Sequence, residues 1–197
     1  MNRKAFTIAL HSWLLLAVTG LCLAANDDIG KKAPFFKVRS GDDKELTFDT
    51  VKGKVLVIFY ETKEVVEKNR ELKEALKRLS RDQHYQPDAS VGIPVVNCSG
   101  AFWPFTRIWK SKLRENSRKE GLTIYGDWDG KMFSDYKMKR DESNVIVIDT
   151  KGVIRYRKAG EIDSEGIREI ERLIRNLVAE GKTASSEIEE ETVKDVR

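Results

Sequence analysis

Residues 54–79 read KVLVIFYETKEVVEKNRELKEALKRL. Val55 to Tyr60 is an unbroken apolar run, so a strand there offers nothing polar to either face and must be covered on both. From Glu64 to Arg81 the period changes. Val65, Leu72, Leu76 and Leu79 fall on one face of a helix, with Lys, Glu and Arg opposite. Thr62 is placed to cap that helix, and Glu64 and Glu67 lie where acids complement the helix dipole. A central strand that runs straight into an amphipathic helix predicts an α/β fold.

Phe35–Val38 and Glu45–Phe48 flank the polar turn Ser40-Gly41-Asp42-Asp43 and predict a pair of short strands. On the other side of the opening stretch, Val91 to Cys98 predicts the next strand. Pro104 suits the first turn of a second helix, whose apolar stripe is Phe105, Ile108, Trp109 and Leu113 and which Gly121 ends. Thr123–Tyr125 predicts a short strand and Asp129–Tyr136 a short helix or turn. Asn144–Ile148 is a third apolar strand. Asp149-Thr150-Lys151-Gly152 turns it back into Val153–Arg157, where Ile154 and Tyr156 alternate with Arg155 and Arg157. Asp163 or Ser164 caps a last helix with its core stripe at Ile167, Ile170, Leu173, Ile174, Leu177 and Val178. Two strand–helix–strand crossovers, an antiparallel pair and a closing helix imply a central mixed sheet flanked by helices.

The ends carry a different composition. Arg3 and Lys4 precede an apolar stretch from Trp13 to about Leu23, and Cys22-Leu23-Ala24 puts small residues where a signal peptidase reads. The expectation is a signal peptide over residues 1–24, cleaved after Ala24, with the mature protein in the periplasm and no membrane anchor left behind. Cleavage removes Cys22 and leaves Cys98 as the only cysteine, which excludes an internal disulfide. The chain has 36 Lys and Arg, two of them in the signal, against 32 Asp and Glu. That balance is mild and mixed in sign, so nucleic acid is not an expected partner. Residues 26–33 are expected to form an unstructured lead-in, and residues 25–181 suit one domain. Residues 182–197 are polar and acidic without an apolar period, and are expected to form a disordered tail.

Three segments carry a family likeness. Residues 54–60, the stretch Tyr125-Gly126-Asp127-Trp128-Asp129-Gly130-Lys131, and Val145–Gly152 occur in the order and at the spacing of the thioredoxin-like fold in its redoxin branch. Within that branch the chain resembles the YtfJ-type exported proteins of Gram-negative bacteria, through Glu67–Leu76, the two crossovers and Glu142-Ser143 ahead of the third strand. The resemblance implies an active cysteine pair at the positions of Glu64 and Glu67, and a cis-proline near Ser143. Both are altered here. A carboxylate cannot exchange disulfides, so loss of thioredoxin-type chemistry is implied.

The remaining candidates are weaker. Glu64 and Glu67 read as helix-end charge rather than a metal or acid–base pair, because no His or third acid stands beside them. Cys98 ends an apolar strand and reads as a small buried hydrophobe, with a reactive thiol as the alternative. His84 is the one histidine outside the signal and makes no metal site. Asp127 and Asp129 read as turn formers. Phe102 and Trp103 stand in the approach to a helix beside Arg107, a combination found at protein interfaces, whereas Phe105 and Trp109 are expected to pack inward.

These residues support an exported protein of thioredoxin-like fold, without cofactor or metal, that binds a periplasmic protein or peptide. The binding groove is expected between the Glu61–Glu67 junction, the Cys98–Phe105 loop and the Ser143 turn. The alternative is a single-cysteine redoxin-type thiol oxidoreductase or peroxidase using Cys98, which requires a reachable thiol that titrates below about 8.5.

Overall fold

The structure is a computed structural model that describes residues 28–82, 85 and 87–195. The expected signal peptide, Cys22 and His84 lie outside the described residues. Seven strands, β1 (Lys37–Ser40), β2 (Glu45–Thr47), β3 (Val55–Glu61), β4 (Ser90–Asn97), β5 (Tyr125–Asp127), β6 (Asn144–Ile148) and β7 (Ile154–Ala159), form one sheet in the order β2-β1-β5-β4-β3-β6-β7. β3, β4 and β5 run parallel, while β6 and β7 on one side and β1 and β2 on the other are antiparallel. The helices are α1 (Arg70–Leu79), α2 (Thr106–Glu120), α3 (Lys131–Asp135) and α4 (Ser164–Asp195).

β3 is buried along its whole length, as its apolar run requires. Its side chains alternate between two cores. Val55, Val57 and Phe59 join Val145 and Val147 of β6 beneath α1 and α4, with Leu72, Ile170 and Ile174. Leu56, Ile58 and Tyr60 join Ile146 and Ile148 on the opposite face, with Phe36, Met132 and Tyr136. Each fully buried aliphatic or aromatic side chain contributes about 2 kcal/mol of burial, so β3 is the energetic centre of the sheet.

Four expectations need correction. The helix expected from Glu64 starts only at Arg70. Residues 63–69 form a series of turns instead, with i to i+3 bonds from Val65 N–H to Thr62 O, Lys68 N–H to Val65 O and Arg70 N–H to Glu67 O. Val65 is buried inside them, and Lys73 Nζ donates to Val66 O at 2.7 Å. Tertiary anchoring has overridden the helical pattern here. Second, α2 buries only Leu113, while Phe105, Ile108 and Trp109 are exposed. Polar contacts dock this helix instead: Lys110 Nζ meets Asp43 Oδ1 at 2.5 Å and Arg114 Nη1 donates to Gly41 O at 2.7 Å. The approach is close enough that a Cβ on Gly41 would stand 2.4 Å from Lys110 O. Third, residues 28–33 are tied to β7, through Gly30 N–H to Ile154 O and Asp28 to Arg157 at 2.7 Å, rather than being an unstructured lead-in. Fourth, α4 runs through the acidic segment as far as Asp195. Ala and Glu are good helix formers, and extending a helix already nucleated by Asp163, whose Oδ1 accepts Gly166 N–H at 2.9 Å, costs little.

Candidate functional site

Parallel β3 and β4 end side by side, and β6 begins next to them because it runs the other way, with Tyr60 opposite Asn144. The segments that leave β3 and β4 and the one that enters β6 therefore meet at one edge of the sheet, where ligands gather in parallel α/β folds. A cleft of about 280 Å³ opens there. Tyr60 and Thr62 form one wall, Ser99 and Gly100 another, and Phe133 with Arg140 a third. The Arg140 guanidinium lies 5.6 Å from the centre of the Phe133 ring.

Behind this cleft sits a closed polar network. Glu61 is 4% exposed. Its Oε2 accepts Lys73 Nζ at 2.6 Å and its Oε1 accepts Ser143 Oγ–H at 2.6 Å. Asn69 Nδ2 donates to Ser143 Oγ at 2.8 Å and to Gly160 O at 2.9 Å, and Asn69 Oδ1 accepts Ile162 N–H at 2.9 Å. One carboxylate thus links β3, α1, the turn before β6 and the approach to α4. Burial raises the Glu61 carboxyl above its ordinary value, against the opposing pull of Lys73 and Ser143. Every polar atom named is partnered, which is the condition for a buried charge to be tolerated.

A second buried carboxylate, Asp127, closes the floor. It accepts Tyr60 Oη–H at 2.9 Å and Phe133 N–H at 2.9 Å, so it fixes the ring at the cleft wall and the start of α3 together. Cys98 lies beside it, fully buried. Burial, with the Asp127 charge adding to it, pushes the Cys98 thiol up to about 12.

The sequence-predicted residues are scattered relative to this geometry. Glu64 and Glu67 face solvent on the turns outside the cleft, Glu64 near Lys63 at 3.5 Å and Glu67 clamped by Arg70 with one bond of 2.5 Å. The Arg70 hydrogen bond holds Glu67 below its ordinary value. Ser143 is wholly buried in the network, not presented to a ligand. Phe102 and Trp103 are exposed next to the cleft's Ser99–Gly100 wall, and Arg107 follows on the first turn of α2. Sequence reasoning named Glu61 only as an edge of the expected groove and missed its buried network with Asn69 and Lys73. The one legible signal was Glu61 itself, an acid directly abutting a six-residue apolar run, where an unburied strand end would be the ordinary reading. Among the described residues no group of three or more His, Cys, Asp or Glu gathers to hold a metal ion.

Comparison with solved structures shows the fold. The chain is similar to a provisionally assigned thiol:disulfide interchange protein DsbE from Chlorobium tepidum, at 14% identity and TM-score 0.58, over 77% of this chain and 98% of that one. It is similar to a provisionally assigned protein disulfide isomerase from Bacteroides thetaiotaomicron, at 17% identity and TM-score 0.57, over 80% and 94%. It is also similar to the Plasmodium vivax 2-Cys peroxiredoxin, at 16% identity and TM-score 0.51, over 79% and 99%. The architecture is thioredoxin-like, as the sequence implied. No functionally curated protein matches the chain in sequence. A family model does match, over residues 37–177, and by it the chain belongs to the YtfJ_HI0045 family, described as "Bacterial protein of unknown function".

Proposed function

We propose that this protein is exported, lacks thiol–disulfide chemistry, and uses the cleft at the ends of β3 and β4 to bind an extended peptide or a segment of another protein. The observation that carries the reading is the pair of solvent-facing carboxylates, Glu64 and Glu67, at the positions where the resemblance places a dithiol. The buried Glu61–Ser143–Asn69 network supports it, since it fills the space behind the junction with satisfied hydrogen bonds and no sulfur. The burial and raised pKa of Cys98 weigh against the single-cysteine alternative, because the thiolate is the reactive species. Binding draws on the half-buried Phe133 ring, the Arg140 cation and the exposed Ser99–Gly100 loop.

Cleft occupancy is tested by filling it. A Cβ on Gly100 meets nothing within 4 Å, so the cleft wall accepts a side chain at that position, and Gly100→Trp is the variant that narrows the cleft. In a screen of the protein from Ala25 onward against a random-peptide display library, selected peptides are expected to lose about tenfold or more in affinity for Gly100→Trp. No selected peptide, or equal affinity for the variant, contradicts the reading. Export is tested separately: amino-terminal sequencing of the protein from a periplasmic fraction is expected to begin at Ala25, and an intact Met1 contradicts it.

A further inference from the structure

Beside the cleft, the surface carries a cluster of apolar side chains that the fold does not use. Trp103 is 87% exposed and Phe102 66%, with Phe105, Ile108 and Trp109 exposed behind them. They occupy the loop after β4 and the first turn of α2, and the Phe102 and Phe105 rings meet edge to face at 5.2 Å. A tryptophan this exposed stands clear of the molecule and gains nothing from its own core. Its indole N–H and that of Trp109 have no partner among the described residues, whereas Trp128 Nε1 donates to Arg39 O at 2.9 Å.

The charge around this cluster is one-sided. Residues 98–114 contain Arg107, Lys110, Lys112 and Arg114 and no acid, in a chain with 32 Asp and Glu. Lys110 and Arg114 turn back to Asp43 and Asp42 in the β1–β2 turn and Lys112 pairs with Glu115, which leaves Arg107 beside the aromatic residues without an ion pair among the described residues. Aromatic rings with a free N–H, next to a helix of net basic charge, match the boundary between lipid headgroups and acyl chains. The rings enter the apolar side, the indole N–H meets ester and phosphate oxygens, and the cations meet anionic headgroups. Across residues 98–120 six Lys and Arg stand against Glu115 and Glu120, a net basic surface that complements anionic headgroups. Among the described residues no helix is long and apolar enough to cross a membrane.

We propose that the Phe102–Trp109 face docks the protein on a bilayer surface bearing anionic phospholipid headgroups, with Phe102 and Trp103 as the inserted side chains and Arg107 as the headgroup contact. Docking places the Ser99–Gly100 wall of the cleft close to the membrane, and it holds whether or not the cleft binds a peptide.

The test is flotation of the protein from Ala25 onward, which contains every described residue, with vesicles of phosphatidylglycerol and phosphatidylcholine or of phosphatidylcholine alone. The expected result is binding to the anionic vesicles. The Phe102→Ala/Trp103→Ala variant is expected to lose about tenfold or more in partitioning, and Arg107→Glu to weaken binding to anionic vesicles selectively. Unchanged thermal melts of these surface variants separate a docking defect from a folding defect. Equal flotation of the double variant and the parent overturns the proposal, as does a parent that floats with neither vesicle. Crosslinking from position 103 to a protein, by a parent that does not float, assigns the face to a protein partner and overturns it equally.

Discussion

Glu61 is the residue on which the arrangement turns. Its carboxylate would be unaffordable in the core of β3 without Lys73 and Ser143, and removing one partner leaves the other charge stranded. Lys73 is 29% exposed, so water screens part of that loss. Lys73→Met is therefore expected to cost about 2 kcal/mol in urea unfolding, while Glu61→Gln, which keeps an acceptor for Ser143, costs less. The pH dependence follows from the direction of the Glu61 shift. Its folded pKa lies above the ordinary 4.5, so the folded state binds this proton more tightly than the unfolded state does. The stability from that preference is present below 4.5 and is lost as pH rises through the folded value. Denaturant melts across that window are expected to show a smaller fall with rising pH for Glu61→Gln than for the parent. A steeper fall in the variant contradicts the network.

At the scale of elements, the decisive difference is the start of α1. A reactive thiol in this architecture draws on a helix N-terminus, and here the helix begins at Arg70, past both Glu64 and Glu67. Restoring sulfur alone does not restore activation. Glu64→Cys is expected to titrate near the free-thiol value of about 8.5, read from the pH dependence of its alkylation rate with Cys98→Ser as background. A value depressed by two or more units would show a dipole that the turns do not provide. The sequence hid this start because Thr62, Glu64, Glu67 and the Val65–Leu79 stripe satisfy every local rule for a capped helix. What holds residues 63–69 in turns is distant: Asn69, the positional cap of α1, spends its side chain on Ser143, Gly160 and Ile162 rather than on its own helix. α2 failed for a related reason. Periodicity reports a stripe but not whether anything covers it, and here the β1–β2 turn grips Lys110 and Arg114 and leaves the aromatics free. β3, β6 and the core part of α4 were legible because their apolar residues are too many and too regular to be placed anywhere but between two layers.

For the whole molecule, the sheet order and the parallel core of β3, β4 and β5 place three chain ends together at one edge. The cleft, the buried network behind it and the aromatic face beside it all lie at that edge, so binding and surface docking would share one side of the protein. The central claim is that this side performs no electron transfer. Insulin reduction and peroxide consumption by the protein from Ala25 onward, measured beside Cys98→Ser, test it most directly. The account predicts no turnover above background and no difference between the two proteins, whereas turnover that disappears with Cys98→Ser would contradict it.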